Sequence, residues 1–352
     1  MSLSPKDLYG KKRENYETVE KEKKSGSILL SGYPYWLTID PSSRCSLRCP
    51  LCPTGQRRGT RPAVNMSMDR FRKVIDSLGP WLIHMDMCNW GEPLMNESIF
   101  DMVSYAKRYL IHIKIDTNMT VLSDESAEKL VSSGLDRVIL SVDGVTQETY
   151  GIYRKGGDIK KVFDNIRLLA EKRAEVSSDK PFLEWQFLVF RHNQHEIERA
   201  REIAPELGVD RVSFTPPYAG SEEWLSTLKP FRDKYYDTTE GNISFRRQSG
   251  REICSWLWDG VTVNSDGSVS PCCSVEEAPD DFAEEFPDGD FREFFNTKKY
   301  IDARRRILER NPPEPSSSNV CLRCEHWGWS NHADLGHLLR EIYVPGKEAS
   351  EG

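Results

Sequence analysis

Pro41-Ser-Ser-Arg-Cys45-Ser-Leu-Arg-Cys49-Pro-Leu-Cys52-Pro53 decides the reading of this chain. Three cysteines stand within eight residues in C-x3-C-x2-C spacing, directly after an apolar run at Tyr35–Ile39. Thiolates spaced this way can wrap one iron–sulfur cubane and hold three of its four irons, leaving the fourth open to a small chelating molecule. Zinc is the competing reading, although zinc prefers four closed ligands, often as two short pairs. Incidental buried thiols are the third.

Outward from this stretch the chain alternates. Strand-like apolar runs follow at Leu82–Met87, Ile111–Asp116, Arg137–Val142, Phe182–Phe190 and Arg211–Phe214. Segments of helical period separate them: Met68–Leu78, Glu97–Leu110, Asp124–Ser132, Ile159–Ala174 and His195–Leu207. Ser67 and Ser123 read as N-caps, Gly134 and Gly208 as C-terminal stops. Six strands alternating with helices predict a parallel α/β sheet, open or curled into part of a barrel, with its chemistry at the C-terminal strand ends. Beyond residue 220 the rhythm is lost. Residues 221–250 read as a linker or short helical bridge, and Val261–Val269 as a hairpin around Ser265-Asp266-Gly267. An acidic surface loop is expected over 276–290, helix over 291–310, and a stiff proline-rich loop over 311–318.

Composition narrows the classes. The 352 residues carry 48 Lys+Arg against 55 Asp+Glu, with no basic block of the kind that marks a nucleic-acid surface. No apolar run reaches the length of a signal peptide or a membrane span, which predicts a cytoplasmic protein with no membrane partner. In a reducing compartment, nine cysteines point to metal or chemistry rather than to disulfides. Eight of them fall into two groups, Cys45/49/52 and Cys254/272/273/321/324, while Cys88 stands alone. Residues 1–32 are charged and apolar-poor, and are expected to form a frayed or loosely docked helical leader.

Residues 36–215 resemble the radical S-adenosylmethionine (SAM) superfamily. The resemblance implies a partial (β/α)6 TIM-like barrel, a [4Fe–4S] cluster on Cys45, Cys49 and Cys52, and SAM chelating its open iron. Reductive cleavage of SAM to a 5′-deoxyadenosyl radical and hydrogen abstraction from substrate would follow, with the hard chemistry supplied by the cofactor. Asn89-Trp90-Gly91-Glu92-Pro93 resembles the family segment that binds the SAM amino group, with a tryptophan where many members have a second glycine. Asn118, Ser141 and Asp143 match positions lining the SAM pocket, and Arg154 resembles the arginine that forks onto the SAM carboxylate. Val189 and Phe214 fall on the adenosine or substrate side, as do Gln186 and Ser213; a plain core role is the alternative for these.

In the second cysteine group, Cys254, Gly267 and Cys272 are spaced C-x12-G-x4-C, and Cys321-Leu-Arg-Cys324 follows. Four thiolates fit either zinc or a fully ligated [4Fe–4S] cluster. The pattern resembles the C-terminal SPASM/twitch extension of radical SAM enzymes, including the aminocyclitol dehydrogenase type of the butirosin pathway. No further cysteine follows Cys324, which implies the twitch form with one auxiliary cluster on Cys254, Cys272, Cys321 and Cys324. Cys273 and Cys88 read as bystanders, and His192, His195, His326 and His332 as packed or exposed side chains more readily than as substrate contacts. The division expected is leader 1–32, radical SAM core 33–220, linker 221–250, auxiliary domain 251–335 and tail 336–352.

These readings imply oxidation of a sugar or aminocyclitol-type small molecule, with an electron passed to the auxiliary cluster and a reducing partner such as flavodoxin or ferredoxin. Peptide modification, epimerisation and a non-catalytic metal scaffold are the competing functions.

Overall fold

The structure is a computed structural model and describes residues 4–219, 221–239, 242–245, 253–309, 318–324 and 335–342. After helix α1 (Pro5–Ser25), six strands run in sequence: β1 (Trp36–Ile39), β2 (His84–Asp86), β3 (His112–Thr117), β4 (Arg137–Ser141), β5 (Phe182–Leu188) and β6 (Arg211–Thr215). All five ladders between them are parallel and join neighbours in chain order. Helices α2 (Met68–Leu78), α3 (Ile99–Lys107), α4 (Asp124–Ser132), α5 (Gln147–Tyr153), α6 (Ile159–Glu175) and α7 (Ile197–Ile203) fill the crossovers. The sheet curls as a partial barrel and does not close. Ser67 and Ser123 cap α2 and α4 through their side chains, as their positions predict. The short α5, which leads into Arg154, carried no periodic signal long enough to read.

Two expectations change in detail. The linker holds α8 (Lys229–Tyr235) and an antiparallel ribbon of β7 (Tyr236–Thr239) and β8 (Asn242–Phe245). Beyond it come α9 (Trp256–Asp259), β9 (Gly260–Val263), β10 (Val269–Ser270), α10 (Phe291–Phe295), α11 (Lys298–Leu308) and α12 (Gly336–Ile342). The predicted hairpin is β9–β10, with Gly267 at φ +93° in its turn. Its first strand does not stand apart: β9 pairs in parallel with β1, Trp36 to Gly260 through Ile39 to Val263, extending the barrel sheet to eight strands. The expected stiff loop at 311–318 lies, apart from Ser318, outside the described residues.

The leader is a docked helix rather than a frayed one. Leu8 and Val19 are buried on its inner face, and Lys12 is wholly buried. The Lys12 ammonium donates to the carbonyl oxygens of Gly79 (2.9 Å) and Leu82, in the connection between α2 and β2. A lysine that looks solvated in sequence here ties α1 to the connection between α2 and β2. Lys12→Ala should therefore destabilise the fold by about 2–4 kcal/mol, through two buried carbonyls left without donors. Chemical denaturation measures it, and a change below about 0.5 kcal/mol would mean that α1 does not dock in solution.

Candidate active site

The barrel strands alternate between two environments. Toward the helices they present Leu37, Ile39, Met85, Ile113, Ile115, Val138, Leu140, Leu183, Trp185 and Phe187, all fully buried. The opposite face, toward the lumen, is polar. Trp36 Nε1 donates to Asp86 (2.8 Å), and His84 Nε2 lies 3.0 Å from the other oxygen of the same carboxylate. His84 and His112 face one another through their Nδ1 atoms at 2.9 Å. The Lys114 ammonium bridges Asp86 (3.0 Å) and Asp116 (3.2 Å). Deeper on the same face, Glu184 takes Arg137 and Arg211 together. Burial, then His84, push the His112 pKa down to about 3. Burial opposes charge on Asp86, but Lys114 and His84 together hold its carboxyl far below the usual range.

At the C-terminal strand ends this face meets the first cysteine loop. Cys49 is buried, Cys45 and Cys52 partly so, against Leu47, Leu51, Tyr153 and Phe190. Burial pushes the Cys49 thiol up to about 11 and also raises Cys45, while Arg154 pulls both back. Gly91 lies so close to this loop that a Cβ would stand 1.7 Å from the Ser42 carbonyl oxygen. Asp40, at the end of β1, is fully buried and accepts from the backbone N–H of Asn89 at 3.3 Å. Burial raises its carboxyl to about 7 even though the N–H groups of Asn89, Trp90 and Gly91 pull the other way. Asp40 thus anchors the Trp90-Gly91-Glu92 turn from below, a role its position after an apolar run does not announce.

Glu92 is buried, and its carboxylate accepts from Thr117 Oγ1 (2.6 Å), Leu94 N (3.1 Å) and Asn118 N (2.7 Å). A carboxylate has about four acceptor sites, so one remains for an ammonium. Asn118 Nδ2 also reaches the Cys45 sulfur at 3.6 Å. Arg154 gives its Nε–H to buried Asp143 at 2.6 Å, which leaves the terminal guanidinium nitrogens for another carboxylate. Ser141 closes β4 opposite Gln186 on the lumen side.

The second group gathers around the β9–β10 hairpin, with Cys254 ahead of β9 and Cys272 after the returning β10. Burial raises the thiols of Cys254 (to about 12), Cys272 and Cys321, and Cys324 adds to the shift in each. Cys273 acts on the neighbouring Cys272, while burial and then Asp86 hold its own thiol up, at about 11. Cys88 likewise responds to Asp116 and Asp40. Both bystander thiols therefore approach the polar lumen. With the Asn89 amide oriented to satisfy both partners, Nδ2 donates to the Cys273 carbonyl (3.1 Å) and Oδ1 accepts from Trp90 Nε1 (3.0 Å). Arg61, beyond the first cysteines, grips Asp281 with both terminal nitrogens at 2.7 Å and also reaches Ser268, Ser270 and the Val275 carbonyl.

Two candidates fall elsewhere. The Phe214 ring lies under Arg201 of α7 at 5.0 Å, and Val189 is fully buried in the main core. Strand alternation sends these side chains to the helix layer, while Ser213 and Gln186 take the lumen. His192 stacks on Phe190 at 5.1 Å beside the first loop, and His195 is exposed. His326 and His332 lie outside the described residues.

A donor set of three thiols in an apolar cradle, with an amide N–H aimed at one sulfur, fits an iron–sulfur cluster; so does the set of four. Among the described residues, no three such side chains already close around a single ion. Cubane ligands each hold a different iron and stand further apart than ligands of one ion.

A partial parallel barrel with a thiol-bearing loop over its C-terminal mouth defines a cofactor-dependent barrel enzyme. Residues 39–183 match the radical SAM superfamily, and residues 254–325 match SPASM, an iron–sulfur cluster-binding domain. The chain is a radical SAM enzyme with a C-terminal SPASM domain, and its cofactors are SAM and iron–sulfur clusters. PqqA peptide cyclase of Gluconobacter oxydans (strain 621H) is 27% identical over 323 residues, 86% of each chain. GTP 3′,8-cyclase of Clostridium botulinum (strain Langeland / NCTC 10281 / Type F) is 26% identical over 305 residues, 78% of this chain and 87% of that one. Among solved structures, Streptococcus suis SuiB superposes with a TM-score of 0.60 at 16% identity, over 84% of this chain and 72% of that one, a likeness of fold.

Two outcomes follow from this geometry. Gly91→Ala should cost about 1–3 kcal/mol of stability and weaken SAM binding, since the Ser42 backbone must move to admit a methyl group. Denaturation and equilibrium dialysis read both, and wild-type values in each would place the turn elsewhere. His112 is a base kept neutral in the fold, so its contribution is intact above about pH 6.5 and is lost as pH falls from there toward about 3. His112→Asn should make the acid-side decline of stability shallower by up to about one proton. Equal slopes would mean that His112 is charged in the folded state.

Proposed function

We propose that Cys45, Cys49 and Cys52 hold the SAM-binding [4Fe–4S] cluster and that Cys254, Cys272, Cys321 and Cys324 hold a single auxiliary [4Fe–4S] cluster. The core would span 33–220 and the auxiliary domain 251–335, in a cytoplasmic protein reduced by a flavodoxin or ferredoxin. Glu92 takes the SAM ammonium, Arg154 its carboxylate, and Asn118 and Ser141 complete the polar wall. The net reaction is a two-electron oxidation of a sugar or aminocyclitol-type small molecule.

The observation that carries this reading is the charged lumen. Parallel sheets ordinarily bury apolar side chains on both faces. Here Asp86, Lys114 and Asp116 line the space below the strand ends, and the Asp116 side chain keeps 33% of its surface accessible inside the barrel. Such a wall offers acceptors to hydroxyl or amino groups and a donor to an oxygen. When bound, SAM and the clusters supply hydrogen-atom abstraction and an electron acceptor. Asp116 accepts the hydroxyl or amine proton that the oxidation releases, while a cluster held by Cys254, Cys272, Cys321 and Cys324 would be the acceptor for the remaining electron.

A second reading, peptide modification, is favoured by the likeness to PqqA peptide cyclase along 86% of both chains. Epimerisation is a third, because the Cys273 and Cys88 thiols face the lumen and burial keeps them protonated, as hydrogen-atom donors must be.

Anaerobically reconstituted protein should hold about eight iron and eight sulfide, and the triple Cys45/Cys49/Cys52→Ala variant about four. One zinc with about four iron in the unmutated protein would remove the auxiliary cluster from the scheme. With candidate substrates in deuterated water, oxidation gives one 5′-deoxyadenosine per product that is lighter by two hydrogens. Solvent deuterium at the abstracted carbon, with mass otherwise unchanged, would establish hydrogen return and defeat the dehydrogenase reading.

A further inference from the structure

Charge is segregated along this chain. The formal net charge is −7, yet residues 41–68 contain five arginines and no aspartate or glutamate. Arg61 is spent internally on Asp281. The other four, Arg44, Arg48, Arg57 and Arg58, are exposed. Arg44 donates to a backbone carbonyl, that of Ala63, and among the described residues none of the four forms an ion pair with a carboxylate.

The backbone explains why these cations cluster. The Arg48 N–H donates to the Lys155 carbonyl (2.9 Å), which brings exposed Lys155 beside the first cysteine loop. The N–H groups of Arg57 and Arg58 close a turn onto the carbonyls of Thr54 and Pro53, directly after Cys52. Ile152, 44% exposed, adds an apolar contact next to Lys155. Ser46, beside Cys45, is exposed, so the loop that would carry the cluster reaches the surface. Acidic groups appear at the margins: Glu277 accepts from Thr60 N at 3.1 Å, and Asp158 caps α6.

Five unpaired cations are costly to gather on an acidic protein unless something uses their field. From this arrangement we infer that the face formed by Arg44, Arg48, Arg57, Arg58 and Lys155 is the docking surface for an acidic one-electron carrier protein. The inference rests on the reading that such a carrier is the reductant. The carrier is oxidised by one electron and the cluster beneath the face is reduced by one; no atom changes place. Complementary charge steers encounter and orients the carrier without requiring tight binding, as suits a partner that must leave after each transfer.

The test uses the full chain and an oxidised acidic flavodoxin as probe, with binding read by surface plasmon resonance. Raising salt from about 50 to 300 mM should weaken binding at least about tenfold. Arg57→Glu/Arg58→Glu should weaken it by a similar factor at low salt and flatten the salt dependence. Lys155→Glu, on the other side of the loop, gives an independent arm should the double variant fold poorly. SAM cleavage driven by dithionite, a small reductant that needs no docking face, should stay within about twofold of wild type in all of them. If wild type binds neither flavodoxin nor ferredoxin yet cleaves SAM with dithionite, the carrier reading fails. If wild type binds and the variants bind equally, the surface is wrongly assigned. Dithionite-driven cleavage that falls with the arginines would place them at SAM or substrate and overturn the assignment.

Discussion

The parallel pairing of β9 with β1 is the constraint on which the rest of the molecule depends. An open parallel sheet leaves the edge of its first strand with unpaired N–H and C=O groups, and such an edge must be covered. Here the cover comes from a segment more than 200 residues away. Because the pairing is parallel, β1 and β9 end at the same rim, and the Val263 carbonyl receives the Asp40 N–H where both strands stop. The loop after β1 then carries Cys45, Cys49 and Cys52 at that rim, whereas β10 runs back antiparallel to β9 before the chain reaches Cys272, and Cys254 precedes α9 and β9. One ladder therefore fixes where the segment bearing Cys254 and Cys272 stands relative to the first cysteine loop.

Side chains then fix what the ladder brings together. Arg61 reaches from the first cysteine loop's extension into the C-terminal hairpin, with 9% of its side chain exposed and 4% of that of Asp281. Buried pairs are seldom net stabilisers, but removing one partner strands the other charge. Their value here lies in register: a planar bidentate contact tolerates little rotation. Asn89 adds a lighter bridge from the Glu92 turn to Cys273.

How much of this was legible in sequence depended on whether a residue's role is local. The three-cysteine spacing, the alternation of strand and helix, the Ser67 and Ser123 caps and the Gly267 turn are set by neighbours within a few positions, and all were readable. Lys12, Asp40 and Arg61 act on partners tens to hundreds of residues away, so each reads as an ordinary surface charge. The lumen was hidden differently. Trp36, His84, Asp86, His112 and Lys114 alternate with apolar residues, which signals a strand with one wet face. Nothing in the pattern says that this face is enclosed rather than on the outside. Phe214 and Val189 take the core role that the sequence left open as their alternative: proximity in sequence to a strand end does not fix which face a side chain takes, and a shift of one residue reverses it.

The chemistry of the mouth follows from two opposed demands on its charges. Burial holds the thiols of Cys45 and Cys49 in their neutral form, so thiolate ligation there needs the positive charge of iron to offset desolvation. Arg154 contributes in the same direction, yet it is itself held by Asp143, which limits the net charge it adds. Burial raises the Glu92 carboxyl, and three protein donors offset part of that while leaving one acceptor site. Each group is thus neutralised almost completely by the fold, and what is left over matches one ligand group apiece: an open iron, an ammonium and a carboxylate. A molecule that offers an amino group and a carboxylate on one carbon would satisfy all three at once, which is the match the proposed SAM site calls for.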